Sequence, residues 1–490
     1  MSASMGRVRY YIGSMQARRA CEYSLRTLLE MILPPDCIVR GTEGDSPQED
    51  EAVLVYGSES TFLTQGVHLF DSGFFEMPAG TVGYMPKRPV VRLSGVPAIY
   101  RDERESGGNF YSSDSNGSMP RVDCHVDIVA GAFFMLSRYE ETVATSVDRF
   151  SRFPVEASLA FREGFLLEPV VNEYAEKLLA MLRIAGFSGE RRNWWKGAPW
   201  SIALTHDVDK LHRFPMSVLD VARYVTGRVP ESMPGPRDLV RDWGQTTSRR
   251  KLDEYNCLPE MAAWEASIGV HAAYYFMGDA RGLHSADYVV NTPEVVGQIT
   301  AIAGLGHEIG FHAGFWSYRD ARRFHDELSR VQHAGVSIHG GRQHYLRWRT
   351  PTTWRLWEAE GLSYDATLGY SGMAGFRCGT CLPFHPYDIE HDREMPIWEW
   401  PLMFMDDTYA RSWPEGLTIL DHLISQCEQY GGVLVLLWHN MYWSRLYASP
   451  VRSSLGELLE RSVRQGVAVD SIQGLMRLSG MKGADTVLKG

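Results

Sequence analysis

The chain has 490 residues, of which 44% are hydrophobic and 12% aromatic, and its formal net charge is −11 at pH 7. This length indicates two or three domains, and the composition is that of a globular protein, which excludes a wholly disordered chain. The acidic charge argues against nucleic acid or an anionic membrane surface as a partner, and no apolar run approaches the roughly 18 residues that a transmembrane helix needs.

The N-terminal part of the chain is predicted to form a small α/β domain. It lacks an apolar signal segment and the seven cysteines are scattered, so we expect a cytoplasmic protein in a reducing environment. Its predicted elements are, in chain order, a strand at 8–13, a helix at 17–33, a strand at 51–57 and helices at 127–141 and 170–187. A polar linker then predicts a boundary at residue 195, which gives the domains 1–195 and 196–490.

From residue 200 onwards, strands and helices alternate, which is typical of a parallel sheet or barrel with its site at the carboxyl ends of the strands. Strands are predicted at 200–209, 269–278, 307–314, from 337 onwards, up to 365 and at 433–440. Helices are predicted at 293–306, 322–335, 352–361 and 415–432. The segment 211–257 is too long for a simple loop, and we expect it to form a helical insertion over the site.

The first of these strands ends in "THDVD". Because side chains alternate along a strand, Asp207 and Asp209 are predicted to face one way and His206 the other. Two neighbouring carboxylates allow one to bind a cation while the other handles a proton. The alternative is a structural pair that caps the next helix or forms a salt bridge with arginine.

Histidines follow at the ends of later strands. In "GHEIGFH", His312 lies at the polar end of its strand, whereas His307 faces the other way and is expected to be structural. Arg342 and His344 share one face of the next strand. The run "VLVLLWHN" ends a buried strand with His439, a position that suits a general acid, although a histidine that merely caps the strand is the alternative.

These motifs occur in the order known from one family. The segment from Ser201 to the C-terminus resembles the polysaccharide deacetylase superfamily (NodB homology, carbohydrate esterase family 4) in "THDVD", "GHEIGFH", "GGRQHYL", "YDATLGY" with "GFRCGT", and "LLWHN". The resemblance spans about 60% of the chain and implies a deformed (β/α) barrel of the NodB-homology type, preceded by a smaller α/β domain. The N-terminal part, with "FFMLSRYEE", resembles an uncharacterised domain found before such deacetylases in bacterial surface-polysaccharide systems.

The resemblance also implies roles for individual residues. Asp207 becomes the general base, Asp209 and His312 become ligands of a divalent metal, usually zinc, and His439 becomes the acid that protonates the leaving amine. The other residues that we assign to catalysis are Arg342, Asp365 and Arg377. Trp316, Trp438 and Tyr370 are assigned to substrate binding, with ordinary barrel packing as the alternative for the tryptophans.

Two departures from the family pattern affect these assignments. Val208 separates the two aspartates, so the roles of base and ligand could be exchanged. The position of the second metal histidine is occupied by Trp316, which cannot bind a metal. His344 is the expected replacement, because its strand is predicted to lie beside that of His312. His206 and the absence of any third histidine ligand are the alternatives.

The sequence therefore predicts a metal-dependent hydrolase that removes an N-acyl group from an amino-sugar glycan or glycan precursor in surface-polysaccharide biosynthesis. Acetyl is the leading candidate for that group. A non-catalytic carbohydrate-binding or scaffolding relative is the alternative, favoured by Trp316, and it should purify without stoichiometric metal. Hydrolysis of a non-sugar amide on the same scaffold is a third possibility.

Overall fold

The structure is a computed structural model that describes residues 6–13, 15–42, 45–57, 65–76, 85–114, 120–212, 255–279, 284–411, 415–443 and 449–483. Across these ranges, no helix is both long enough and apolar enough to cross a membrane. The expected helical insertion at 211–257 falls mainly on residues 213–254, which lie outside the described residues.

The chain forms two compact units. The first contains Met1–Trp194, Arg349–Trp354 and Gly375–Pro401, and the second contains Trp195–Trp348, Arg355–Ala374 and Leu402–Gly490. The sequence predicted two continuous domains that meet at residue 195. Two short segments from later in the chain therefore belong to the first unit, and no local sequence pattern indicates such an assignment.

The first unit is built on a six-stranded sheet. Its elements are β1 (Arg7–Ile12), α1 (Arg18–Ile32), β2 (Ile38–Arg40), β3 (Glu51–Tyr56), β4 (Gly66–Leu69), β5 (Val91–Leu93), β6 (Val96–Ala98), β7 (Tyr111–Asp114), β8 (Arg121–Cys124), α2 (Ile128–Leu136), α3 (Tyr139–Val143), α4 (Leu159–Arg162) and α5 (Val170–Ile184). The strand order is β2-β1-β3-β4-β8-β7, parallel except for the antiparallel pair β7–β8. Strands β5 and β6 form a separate hairpin.

One predicted helix of this unit is divided in two. The apolar pattern at 127–141 predicted a single helix, but Arg138 between α2 and α3 has a left-handed backbone with φ of 53°. Its buried guanidinium donates to the carbonyl of Met135 at 3.1 Å and to the Glu140 carboxylate at 2.7 Å. The prediction of one continuous helix was wrong at this point, because hydrophobic periodicity does not encode the left-handed conformation that Arg138 adopts between α2 and α3.

The second unit contains a curled, parallel half-barrel sheet. Its elements are β9 (Ser201–Val208), α6 (Leu258–Ser267), β10 (Ala273–Met277), α7 (Pro293–Gly304), β11 (Glu308–Ala313), α8 (Ala321–Gln332), β12 (Gly340–Gln343), β13 (Tyr364–Asp365), β14 (Phe404–Met405), α9 (Asp406–Arg411), α10 (Glu415–Tyr430), β15 (Val433–Leu437), α11 (Asn440–Trp443), α12 (Ser449–Arg464), β16 (Ala468–Asp470) and α13 (Ile472–Ser479). Its strands follow the order β13-β12-β11-β10-β9-β15-β14, and β16 pairs with the start of β9.

Short elements complete the two units. A helix at Thr352–Ala359 begins in the first unit and continues in the second. The strands Tyr387–Asp388 and Arg393–Glu394 form an antiparallel pair in the first unit, where the strand Trp398–Glu399 also lies. The mixed α/β class and the parallel, barrel-like sheet confirm the coarse fold prediction, and the NodB-homology type remains a prediction.

The centre of the half-barrel is an apolar sheet. Every residue of β9 and β15 is buried, and burial of a single valine or leucine side chain stabilises a fold by about 1.5–3 kcal/mol. Close strand approach depends on glycine at Gly341, where a Cβ would lie 1.8 Å from the backbone oxygen of Phe311. Because the strands are parallel, their carboxyl ends meet at one edge, and polar side chains that follow them converge there.

Candidate metal and catalytic site

The carboxyl end of β9 sends its polar side chains in two directions. Asp207 pairs in register with Tyr275 of β10, and its carboxylate faces the edge where β11 and β12 also end. His206 points away, with Nε2 2.8 Å from Glu265, so the alternation that the sequence predicted separates it from both aspartates. His206 therefore does not belong to the group of side chains around Asp209.

Asp209, His312 and His344 form a compact cluster. One ligand atom from each side chain lies within 4.8 Å of the others. Nε2 of His312 is 2.9 Å from Nδ1 of His344, and these nitrogens lie 3.1 Å and 3.2 Å from Oδ1 of Asp209. The registers of β11 with β12 explain the proximity, since His312 pairs with Arg342 and His344 follows β12 by one residue. An Asp-His-His group of this kind could hold a metal ion.

The protonation of His312 suits metal binding. Its Nδ1 lies 2.9 Å from the backbone oxygen of Arg342. A carbonyl can only accept a hydrogen bond, so Nδ1 carries the proton, and Nε2 of the ring in its neutral form can offer a lone pair to a metal. The hydrogen bond from Nδ1 to the Arg342 carbonyl fixes the orientation of the His312 ring, so that Nε2 points toward the cluster.

The donor set of the cluster also fits a cation. Oδ1 of Asp209 is buried and accepts no hydrogen bond of good geometry, although the two imidazole nitrogens lie close to it. Burial opposes ionisation of this carboxyl, but His344 and His312 hold its pKa well below the usual range. Two nitrogens and one carboxylate oxygen that converge in this way match the ligands that zinc commonly takes in catalytic sites.

Asp207 lies beside the cluster in a different environment. Its Oδ1 accepts a hydrogen bond of 2.8 Å from the Arg342 guanidinium, and its Oδ2 is 3.7 Å from Nε2 of His312. Burial would raise the pKa of Asp207, but the positive charges of Arg342, His312 and His439 together outweigh that effect and lower it. Arg342 is itself held by the carbonyl of Ala366 at 2.8 Å, and its buried Nη2 has no hydrogen-bond partner. Asp207 is thus an ionised carboxylate, oriented by Arg342, that can accept a proton.

His439 follows β15 and reaches the same group of side chains. Its Nε2 lies 3.6 Å from Oδ2 of Asp209, and its Nδ1 lies 2.8 Å from Oδ1 of Asp406. Its backbone N–H also donates to Oδ2 of Asp406. Burial alone would lower the pKa of His439, but the Asp406 carboxylate and the neighbouring aspartates raise it to about 10. The ring is therefore a proton donor at neutral pH.

Asp406 is a member of this group of side chains that sequence reasoning missed. It begins α9 directly after β14, a strand of only two residues. Such a strand gives no periodic pattern, so nothing marked its end as part of the site. The available signal was the adjacent pair Asp406–Asp407 after "PLMFM", close to the strand that carries His439. The contact itself depends on the pairing of β14 with β15.

The remaining predicted residues have other partners. Asp365 is buried and accepts from the N–H and the hydroxyl of Thr367 at 2.9 and 2.7 Å. Arg377 belongs to the first unit, where its Nη2 lies 2.9 Å from Oε2 of Glu141. These contacts of Asp365 and Arg377 are with framework residues, and their assignment to the catalytic group stays a prediction. His307 is structural in its contacts, accepting from the N–H of Ala272 at 3.0 Å.

The three aromatic residues assigned to substrate binding differ in exposure. Trp438 and Tyr370 are each only 3% exposed, so neither offers a free face to a solute. Trp316 is 50% exposed and lies three residues beyond the end of β11. Its ring centroid is 4.9 Å from that of Phe315, which in turn lies 5.3 Å from the ring of Tyr345, the residue next to His344. Two ring contacts therefore link an exposed indole to the metal-type cluster.

Comparisons with known proteins add the following. Residues 10–186 match a family described as a family of unknown function (DUF7033). No curated protein matches the chain. Among solved structures, a Mycobacterium smegmatis protein provisionally classed as a polysaccharide deacetylase is similar at 17% identity, with a TM-score of 0.38, over 59% of this chain and 94% of that one. At this TM-score the likeness supports no assignment for this chain.

Proposed function

We propose that this protein is a metal-dependent hydrolase that removes an N-acyl group from an amino sugar, with acetyl as the leading candidate for that group. The observation that carries the proposal is one group of side chains with three complementary roles. Asp209, His312 and His344 form a ligand set, Asp207 is an ionised carboxylate beside it, and His439 is a protonated imidazole 3.6 Å from Asp209. Metal-assisted hydrolysis of an amide uses all three roles together.

The ligand set supports a divalent metal as the cofactor. Asp209, His312 and His344 would hold a divalent ion, and two nitrogens with one carboxylate oxygen favour zinc over the oxygen-preferring magnesium and calcium. When bound, such an ion polarises the acyl oxygen and makes water more acidic. The position at Trp316, where the family has its second histidine, is not needed for a third ligand in this arrangement.

The two proton-transfer roles follow from charge. Asp207, whose pKa is lowered by Arg342 and the nearby imidazoles against the larger single effect of burial, accepts a proton from water as oxygen bonds to the acyl carbon. His439, oriented by Asp406, delivers its proton to the amide nitrogen as the carbon–nitrogen bond breaks. Water thus supplies the oxygen of the released carboxylic acid, and the nitrogen leaves as an amine. The geometry favours Asp207 as base and Asp209 as ligand over the reverse.

The proposed substrate class is an amino-sugar glycan or glycan precursor. It derives from the motif resemblance and is supported by the exposed indole face of Trp316, since aromatic faces beside a polar site suit the apolar faces of sugar rings. The role in surface-polysaccharide biosynthesis rests on the same resemblance. A non-catalytic carbohydrate-binding relative is the competing function, and it predicts no stoichiometric metal.

The test combines metal content with acyl release. The purified protein should contain about one zinc per chain and should release acetate from at least one member of a panel of N-acetylated sugar nucleotides, lipid-linked sugars and oligosaccharides. His344→Ala should lose both metal and activity. His325→Ala, which removes a histidine from an exposed ion pair with Glu360, should lose neither. A metal-free, inactive wild type would support the non-catalytic alternative.

A further inference from the structure

The peptide unit between Trp438 and His439 is held at both ends by buried side chains of the second unit. Its N–H belongs to His439 and donates to Oδ2 of Asp406. Its carbonyl belongs to Trp438 and lies 2.8 Å from Nδ1 of His206. This peptide carries the proposed acid out of the sheet, because β15 ends at Leu437 and α11 begins at Asn440. Its orientation decides where the His439 ring points.

His206 is fixed in turn by a buried carboxylate. Its Nε2 lies 2.8 Å from Oε1 of Glu265 on α6, and the other oxygen of Glu265 accepts a hydrogen bond of 2.7 Å from the hydroxyl of Tyr274. His206, Glu265 and Tyr274 are each 0% exposed. Such a buried polar group is costly unless its members are satisfied, and here both carboxylate oxygens and both ring nitrogens have partners.

The protonation of His206 follows from its partners. The Trp438 carbonyl can only accept, so Nδ1 of His206 must carry a proton. Nε2 lies within hydrogen-bond distance of a Glu265 carboxylate oxygen, so both nitrogens of the ring are engaged. The donor toward the peptide is therefore permanent as long as Glu265 holds the ring in place.

From these contacts we propose that His206 and Glu265 are positioning residues for His439. Glu265 orients His206, His206 binds the carbonyl of Trp438, and this hold complements that of Asp406 on the N–H of the same peptide. The carboxyl end of β9 then contributes to the site on both faces. Asp207 and Asp209 lie on one face, and His206, which positions the acid, lies on the other. The expected loss of activity rests on the proposed hydrolase function. The two hydrogen bonds that His206 and Asp406 make to the peptide between Trp438 and His439, called the peptide clamp below, do not depend on that function.

The test compares two double variants that differ only in the donor to the carbonyl. A change at His206 alone would leave Oε1 of Glu265 buried without its imidazole partner, so each variant also carries Glu265→Gln. In His206→Asn/Glu265→Gln, the side-chain amide can still donate to the Trp438 carbonyl. In His206→Leu/Glu265→Gln, a side chain of nearly the same shape cannot. The ligands Asp209, His312 and His344 are unchanged, so both proteins should retain metal.

Two measurements separate the outcomes. In the leucine variant, deuterium exchange at the His439 amide should accelerate at least about tenfold, and kcat should fall about tenfold to a hundredfold with KM unchanged, because small displacements of a catalytic group are costly. The asparagine variant should stay close to the wild type in both. Equal behaviour of the two variants, whether both normal or both impaired, overturns the proposal.

The clamp can also be tested without activity. If the wild type hydrolyses none of the tested amides, the proposed function fails, and the exchange comparison still decides the clamp. If the leucine variant does not fold, nitrogen NMR of the wild type decides it instead. A slowly exchanging proton on Nδ1 of His206 is expected, and an unprotonated Nδ1 would contradict the proposal.

Discussion

Each unit of the protein places a buried aspartate oxygen just beyond a parallel strand, and the two carboxylates have opposite surroundings. In the first unit, Asp127 accepts from the N–H and hydroxyl of Ser72 at 2.8 and 2.7 Å, and from the N–H of Ala130 at 2.9 Å. In the second unit, Oδ1 of Asp209 faces two imidazole nitrogens and accepts no hydrogen bond of good geometry.

This difference distinguishes a structural carboxylate from a ligand. Asp127 caps α2, and its framework donors leave little lone-pair capacity for another ion. Asp209 shares its space with the ring nitrogens of His312 and His344, and a cation could be bound by all three groups together. Burial is common to both sites, so the difference between the neighbours, framework donors at Asp127 and imidazole nitrogens at Asp209, carries the functional information.

The largest effect is expected for Asp209→Asn. This variant should lose its metal, and hydrolysis should fall at least about a thousandfold, because Lewis-acid polarisation contributes several kcal/mol and each 1.36 kcal/mol is tenfold in rate. The matched control is Asp127→Asn, which should keep metal but lose about 1–3 kcal/mol of stability through unsatisfied buried donors. Metal analysis and denaturant unfolding measure both. Stoichiometric metal in Asp209→Asn would remove the distinction drawn above.

The second effect concerns the acid. His439→Ala should keep metal and lose at least about a hundredfold in kcat, the usual scale for one general acid. Loss of metal or of the fold in this variant would instead make His439 a ligand or a core residue.

The role of His439 can also be tested by measuring the pH dependence of activity in a variant of its partner, Asp406. Since the Asp406 carboxylate raises the pKa of His439 despite burial, Asp406→Asn should lower that pKa. The acid must be protonated, so activity is lost as pH rises through this pKa, and the basic limb of the profile should move to lower pH. A basic limb that stays in place would assign it to another group.

The smallest effect is expected at the exposed aromatic residue. Trp316→Ala should raise KM about fivefold with kcat unchanged, as expected for a loss of about 1 kcal/mol in binding shared by ground and transition states. The control is Phe161→Ala in the first unit. Phe161 is an exposed aromatic residue like Trp316, with 39% of its surface exposed, but it is not next to the cluster in the sequence. Steady-state kinetics on the best substrate of the panel compare the two, and an unchanged KM in Trp316→Ala would exclude the stacking role.

The sequence by itself determined the features that depend on local periodicity. Alternation along β9 separated His206 from Asp207 and Asp209, and the apolar run of β15 placed His439 at a strand end. The alternating pattern indicated a parallel sheet, and neighbouring order in that sheet favoured His344 as the companion of His312. These inferences require only the pitch of a strand and the winding rule of α/β folds.

Only the tertiary structure decided the contacts made between distant segments. Asp406 reaches His439 because β14 pairs with β15, although a two-residue strand leaves no pattern in the sequence. Arg377 follows the motif order of the site but pairs with Glu141 in the first unit, more than two hundred residues earlier in the chain. His206 supports the peptide before His439 through a bond that crosses from β9 to the end of β15. Periodicity assigns a side chain to a face of its strand, whereas packing selects its partner on that face from the rest of the chain.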